Sequence, residues 1–155
     1  MNLDSLTEAN REGDSSEMPT QGIALQIQRK HLLEMIAHAQ EETPNEACGI
    51  LAGSNGRVLR LYRAGNAALS PTSYRLYPDE QYRIFKDIED RGLEILGVYH
   101  SHPSSPAVPS ETDIGQAYSS EVSYVLISLT DQADPQVRAF LITEDGFLDQ
   151  DLMVI

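Results

Sequence analysis

The feature that most constrains this chain is the run Gly97-Val98-Tyr99-His100-Ser101-His102-Pro103. It closes a stretch, residues 94–102, that reads as a central strand. Pro103 ends the strand because proline has no N–H for a sheet ladder. Side chains two apart on a strand share a face, so His100 and His102 project together and Ser101 turns away. That pairing brings two imidazoles within reach of one metal ion. Alone it is a weak signal, since two histidines on a solvated strand face are common.

The flanking patterns indicate the kind of sheet that holds this strand. Residues 23–27 alternate with period two, and residues 29–42 follow with a helical stripe of Leu32, Leu33, Met35, Ile36 and Ala39, closed by Pro44. A short apolar run at 48–52, the turn Ser54-Asn55-Gly56 and alternation over 57–62 predict a hairpin. A loop with Gly65, Asn66 and Pro71 leads to a further short strand at 73–77. Pro78 and Asp79 open a helix over 78–91, with Tyr82, Phe85 and Ile88 on one stripe and Gly92 as its stop. After the histidine strand, the prolines and serines of 103–109 make a loop, and 110–119 reads as a short helix. Residues 122–129, 137–143 and 147–154 read as strands, with Asp145-Gly146 turning a hairpin. About eight strands with three helices predict an α+β (mixed α/β) fold, a mixed sheet covered by helices.

At 155 residues the chain suits one domain. Residues 1–21 are polar, acidic and aperiodic and read as a disordered leader, leaving 22–155 as the folded domain. No apolar run approaches the roughly 20 residues that cross a bilayer. The first residues also lack the basic start and apolar centre of a signal peptide, so a soluble, cytoplasmic protein is expected. The single cysteine, Cys48, excludes an intrachain disulfide and a Cys-rich zinc knuckle, so a transition-metal site must use histidine and carboxylate. The net charge of −13 repels nucleic-acid phosphates and anionic lipid, which excludes both as expected partners. It suits a basic partner, a high-salt cytoplasm or simple solubility.

A carboxylate for the histidines is at hand in Pro109-Ser110-Glu111-Thr112-Asp113. Ser110 with Asp113 three residues on is a helix capping box, which by itself accounts for the local sequence. An Asp in that first turn is also able to aim back at the strand end. Two imidazoles and one carboxylate, with a fourth position open, make a catalytic zinc set, and zinc lowers the pKa of a water to about 7. Proton transfer to a leaving amine needs a further carboxylate. Glu46 stands at the mouth of the apolar run Ala47-Cys48-Gly49-Ile50-Leu51-Ala52-Gly53 and is the candidate. Its bland alternative is an exposed Glu after a helix.

Taken in order, Glu46, then His100-Ser101-His102-Pro103, then Ser110-x-x-Asp113 resemble the JAMM (MPN+) metalloprotease signature: a distant Glu, His-x-His, ten intervening residues and Asp. The resemblance covers about residues 22–155. The short length and Glu-Ala-Cys-Gly-Ile-Leu-Ala-Gly are similar to the small prokaryotic branch of that family. The resemblance implies a curved mixed β-sheet flanked by helices, related to the cytidine deaminase core. It implies Zn2+ as the cofactor, held by His100, His102 and Asp113, with Glu46 as general acid/base and Ser110 as donor to the tetrahedral oxyanion. It also implies a peptidase or isopeptidase whose partner is the C-terminal tail of a ubiquitin-like or sulfur-carrier protein, cut after Gly-Gly at the bond to a cysteine or another amine. No signature position is missing, and the long insertions of eukaryotic members are absent. Two alternatives stay open: a non-catalytic MPN-type interaction module, and another zinc hydrolase on the same core. A deaminase fits poorly, because His-x-Glu with Pro-Cys-x-x-Cys is lacking. Oligomeric state is left open.

The remaining residues read more plainly. Cys48 is a small buried hydrophobe rather than a nucleophile. His31 and His38 are surface or boundary residues of the first helix. Tyr74, Tyr77, Tyr82 and Tyr99 are packing residues. The loop over 104–108 borders the site, where an extended tail would add as an edge strand.

Overall fold

A computed structural model describes residues 23–155; the expected leader over 1–21 lies outside the described residues. Eight strands, β1 (Leu25–Ile27), β2 (Cys48–Ser54), β3 (Arg57–Ala64), β4 (Glu94–His102), β5 (Ser123–Ser128), β6 (Gln136–Thr143), β7 (Gly146–Gln150) and β8 (Leu152–Val154), form one sheet. Among the described residues, three helices join them: α1 (Arg29–Glu42), α2 (Pro78–Asp90) and α3 (Glu111–Gly115). The strand order is β7-β6-β5-β4-β2-β3-β1-β8. β4 with β5, and β1 with β3 and β8, run parallel, and the other pairs are antiparallel. The expected mixed sheet with helices is therefore present.

Alternation along β2 and β4 divides the core between the two faces. Ile50, Ala52, Ile95 and Val98 pack with Ile84, Phe85 and Ile88 of α2. Leu51 and Tyr99 pack with Met35 and Ala39 of α1 on the opposite face. Gly49 is required between them: a Cβ there would run into the Tyr99 ring and the Tyr62 carbonyl. Asn55 (φ 53°) and Gly56 (φ 75°) turn the β2–β3 hairpin with two successive positive φ values, the geometry that two-residue hairpins favour.

Several expectations need correction. The stretch 147–154 is two strands rather than one, broken at Asp151. β7 pairs with β6, whereas β8 pairs with β1 at the far end of the strand order, and the Asp151 carbonyl accepts from Leu25 N–H at 2.9 Å. Accumulated strand twist has curled the sheet until its two edges are one residue apart in the chain, giving a nearly barrel-like form. Residues 73–77 form no strand; the backbone groups of Ser73 and Arg75 are taken by the Asn66 side chain. The helix expected over 110–119 stops at Gly115, because the Tyr124 hydroxyl accepts from the N–H groups of Tyr118 and Ser119. Leu33, Tyr77 and Tyr82 are exposed rather than packed. His31 and His38 are buried, not surface residues, and His38 Nδ1 meets the Tyr99 hydroxyl at 2.7 Å. Contacts that local periodicity does not reveal decide the strand and helix-end cases and that of His38.

Candidate metal centre

The C-terminal end of β4 brings His100 and His102 onto the α2 face of the sheet. The chain then crosses through loop 103–110 and α3 to reach β5, which is parallel to β4. Crevices at the carboxyl ends of parallel strands are where open α/β sheets place their ligands. Here α3 begins over that crevice. Ser110 is its N-cap: its hydroxyl accepts from Asp113 N–H at 3.0 Å, and Asp113 Oδ2 accepts from Ser110 N–H at 2.9 Å. The capping box read from the sequence is therefore real, and it also fixes the Asp113 carboxylate.

Held in this way, Asp113 places Oδ1 3.1 Å from His100 Nε2 and Oδ2 3.1 Å from His102 Nε2. The two Nε2 atoms are 3.2 Å apart. All three side chains are buried, and their ligand atoms lie within 4.8 Å of one another, close enough to hold a metal ion. The chemistry of the donors fits a cation. His102 Nδ1 lies 2.8 Å from the Pro106 carbonyl, which only accepts, so Nδ1 carries the proton. The Nε2 of the neutral ring then presents a lone pair to a carboxylate oxygen and to a second imidazole. Such a cluster of acceptors is repulsive unless a proton or a metal ion lies among them.

Loop 103–109 is anchored for this task. Ser128 Oγ donates to the Ser105 carbonyl at 2.7 Å, one residue from the Pro106 carbonyl that orients His102. His100 differs: its Nδ1 is buried with no hydrogen-bond partner among the described residues. The Tyr74 ring stacks on it instead, with centroids 4.6 Å apart and planes at 26°.

Glu46 arrives from β2. Cys48 pairs with His100, Ala47 N–H donates to Ser101 Oγ at 2.8 Å, and Ser101 N–H donates to the Ala47 carbonyl at 3.0 Å. Alternation therefore puts Glu46 on the same face as the two histidines. It is 2% exposed, and its Oε1 has no hydrogen-bond partner among the described residues. Burial pushes its carboxyl up to about 8, with His102 pulling the other way and the Asp113 charge adding to the rise. For Asp113, burial also pushes upward, but its close contacts with the His100 and His102 rings and the hydrogen bond from Ser110 N–H outweigh it and hold the group well below the usual carboxylate range. Burial lowers His100, whereas contacts with Asp113 and the Pro106 carbonyl overcome burial to raise His102.

Every residue singled out from the sequence thus falls in this cleft: Glu46, His100, His102, Ser110 and Asp113. Cys48 is buried nearby, and burial pushes its thiol up to about 12, so it is a protonated packing group and not a nucleophile. Sequence reasoning missed Asn66, Tyr74 and the Pro106 carbonyl. Asn66 and Tyr74 sit in an irregular connection without periodicity, and a backbone carbonyl leaves no residue-type signal.

Known proteins share this arrangement of chain. The family described as prokaryotic homologs of the JAB domain matches residues 28–143. The chain is 37% identical over 123 residues to the CysO-cysteine peptidase of Mycobacterium tuberculosis, covering 78% of this chain and 84% of that one. It is 40% identical over 124 residues to a probable TtuB-protein conjugate cleaving protease of Thermus thermophilus, covering 79% of each. The solution structure of a Desulfitobacterium hafniense protein, 36% identical, superposes with a TM-score of 0.77 over 84% of this chain and 92% of that one.

Proposed function

This chain belongs to the family of prokaryotic homologs of the JAB domain, and we propose that it is a zinc-dependent peptidase cutting the amide bond after the C-terminal Gly-Gly of a ubiquitin-like or sulfur-carrier protein. The fold and metallopeptidase class expected from the JAMM resemblance agree with that membership. The substrate class is supported by the relatives, whose names specify a CysO-cysteine bond and TtuB–protein conjugates. The observation that carries the reading is the convergence of His100, His102 and Asp113 with the His102 proton already committed to the Pro106 carbonyl.

In this reading His100, His102 and Asp113 hold zinc through Nε2, Nε2 and the carboxylate. Zinc bound there supplies Lewis acidity, polarising the scissile carbonyl and making a water acidic near neutral pH. Glu46 does the proton work. Its unpartnered Oε1 takes the proton from the attacking water as that oxygen bonds to the carbonyl carbon, and returns it to the amide nitrogen as the C–N bond breaks. Ser110 Oγ accepts from Asp113 N–H, so its own hydrogen is free to point at the developing oxyanion. A non-catalytic module gives no account of a buried carboxylate oxygen left unpaired beside three ligating side chains. A cytoplasmic location belongs to the same proposal.

The test is to incubate the purified protein with carriers extended beyond Gly-Gly and read the mass change. About one zinc per chain and a chelator-sensitive release of the extension are expected. A metal-free, fully folded protein that leaves every extended carrier intact defeats the reading.

A further inference from the structure

Between Ala64 and Pro78 the chain has neither strand nor helix, and much of its order comes from one side chain. Asn66 is buried. Its Nδ2 donates to the Glu46 carbonyl at 3.1 Å, the Ser73 carbonyl at 2.9 Å and, more weakly, the Ser70 carbonyl at 3.4 Å. Its Oδ1 accepts from Ala68 N–H at 2.9 Å and Arg75 N–H at 3.2 Å. Glu46 N–H donates to the Ser70 carbonyl at 2.9 Å, which closes the clamp on Glu46 from its other side. The backbone bends sharply to allow this, with Leu69 at φ 47°, an uncommon conformation for a bulky residue. Only an amide both donates and accepts in this way; a carboxylate would turn oxygen against three carbonyl oxygens.

This one amide reaches two parts of the metal centre. Its Nδ2 holds the backbone of Glu46 and of Ser73, the residue before Tyr74. Its Oδ1 holds Arg75, the residue after Tyr74, so the amide brackets Tyr74, whose ring stacks on His100. Metal-binding histidines usually have their second nitrogen held by a hydrogen bond, which sets the ring plane. His102 has this from the Pro106 carbonyl, and His100 does not. The stack on Tyr74 is what defines the plane of His100.

We propose that Asn66 is a positioning residue that sets Glu46 and, through Tyr74, the His100 ring in register with each other. Its consequence for turnover rests on the peptidase reading, and its effect on His100 rests on the geometry alone.

Four variants test it: Asn66→Ala, Asn66→Asp, Tyr74→Leu and Tyr74→Phe. In the metal-free parent, ring-proton NMR is expected to show His100 shifted upfield by the Tyr74 ring current. That shift should vanish in both Asn66 variants and in Tyr74→Leu, and persist in Tyr74→Phe. Affinity for Co2+, measured against a competing chelator, should fall about tenfold in the first three and recover to within about threefold in Tyr74→Phe. With an extended carrier, kcat should fall further in the Asn66 variants than in Tyr74→Leu, because only Asn66 also holds Glu46, while KM stays within about threefold. A folded Asn66→Ala protein with an unmoved His100 signal overturns the proposal, even if its melting temperature drops. Unchanged Co2+ affinity in Tyr74→Leu overturns it too, and decides the matter if the Asn66 variants do not fold. If the parent cleaves no carrier, the peptidase reading fails while the NMR and metal measurements still judge the positioning.

Discussion

Two buried carboxylates share this cleft, and their surroundings differ sharply. At the head of α3, Asp113 takes contacts from His100, His102 and the Ser110 N–H and is held strongly ionised. At the mouth of β2, Glu46 has an orphaned oxygen and is pushed up to about 8. A permanently charged, fully engaged carboxylate suits a ligand. A carboxylate poised near neutral pH with an open acceptor suits proton transfer. One cleft therefore separates two chemically similar groups by environment alone, a common way for enzymes to divide acid–base labour.

If the division is real, damage on the Asp113 side should be the more severe. Asp113→Asn is expected to lose the metal and lower turnover by roughly 10³-fold or more, the several kcal/mol that a Lewis acid contributes. Metal analysis alongside kinetics checks this, and a variant retaining both metal and activity breaks the comparison. Glu46→Gln should keep the metal and lose roughly 10²–10⁴-fold in kcat. Cleavage at the parent rate would remove Glu46 from the mechanism.

The metal-free protein sharpens the same contrast through stability. The folded state raises Glu46 from 4.5 to about 8. In the unfolded chain the group ionises near 4.5, so ionisation favours unfolding across that window. Relative to Glu46→Gln, the parent should lose stability progressively from pH 4.5 to 8, by up to roughly 4–5 kcal/mol at about 1.4 kcal/mol per unit. Denaturant melts at several pH values read this directly. A pH-independent difference would mean that Glu46 is not desolvated.

Smaller effects should separate capping from catalysis at the Asp113 end. Ser110→Ala removes a helix cap worth about 1 kcal/mol, and on the proposed mechanism also an oxyanion donor worth roughly 10²-fold in kcat. A lower melting temperature with unchanged kcat would leave Ser110 as a cap alone. Smallest of all, Ser128→Ala frees the Ser105 carbonyl and loosens the loop behind His102, with about a tenfold loss in metal affinity expected.

Much of this was legible beforehand because local chemistry and spacing were enough. The helix over 29–42 and the strand over 94–102 follow from residue type and periodicity, as does the hairpin turn at Asn55-Gly56. The spacing from His102 to Asp113 is just what a strand end, a proline loop and a capped helix need to return a carboxylate to the imidazoles. Five residues in order therefore pointed to one cleft. Tertiary structure decided the rest, because residue type and periodicity reveal neither contacts made through irregular loops nor pairings between strands far apart in the chain. It split 147–154 between opposite ends of the strand order, and it kept 73–77 out of the sheet by giving their backbone groups to Asn66. It buried His31 and His38, and it gave the protonated nitrogen of His102 to the Pro106 carbonyl. Above all it made Glu46 and Asp113 different, since a carboxylate's charge depends on its neighbours and its access to water, and only the folded chain sets those.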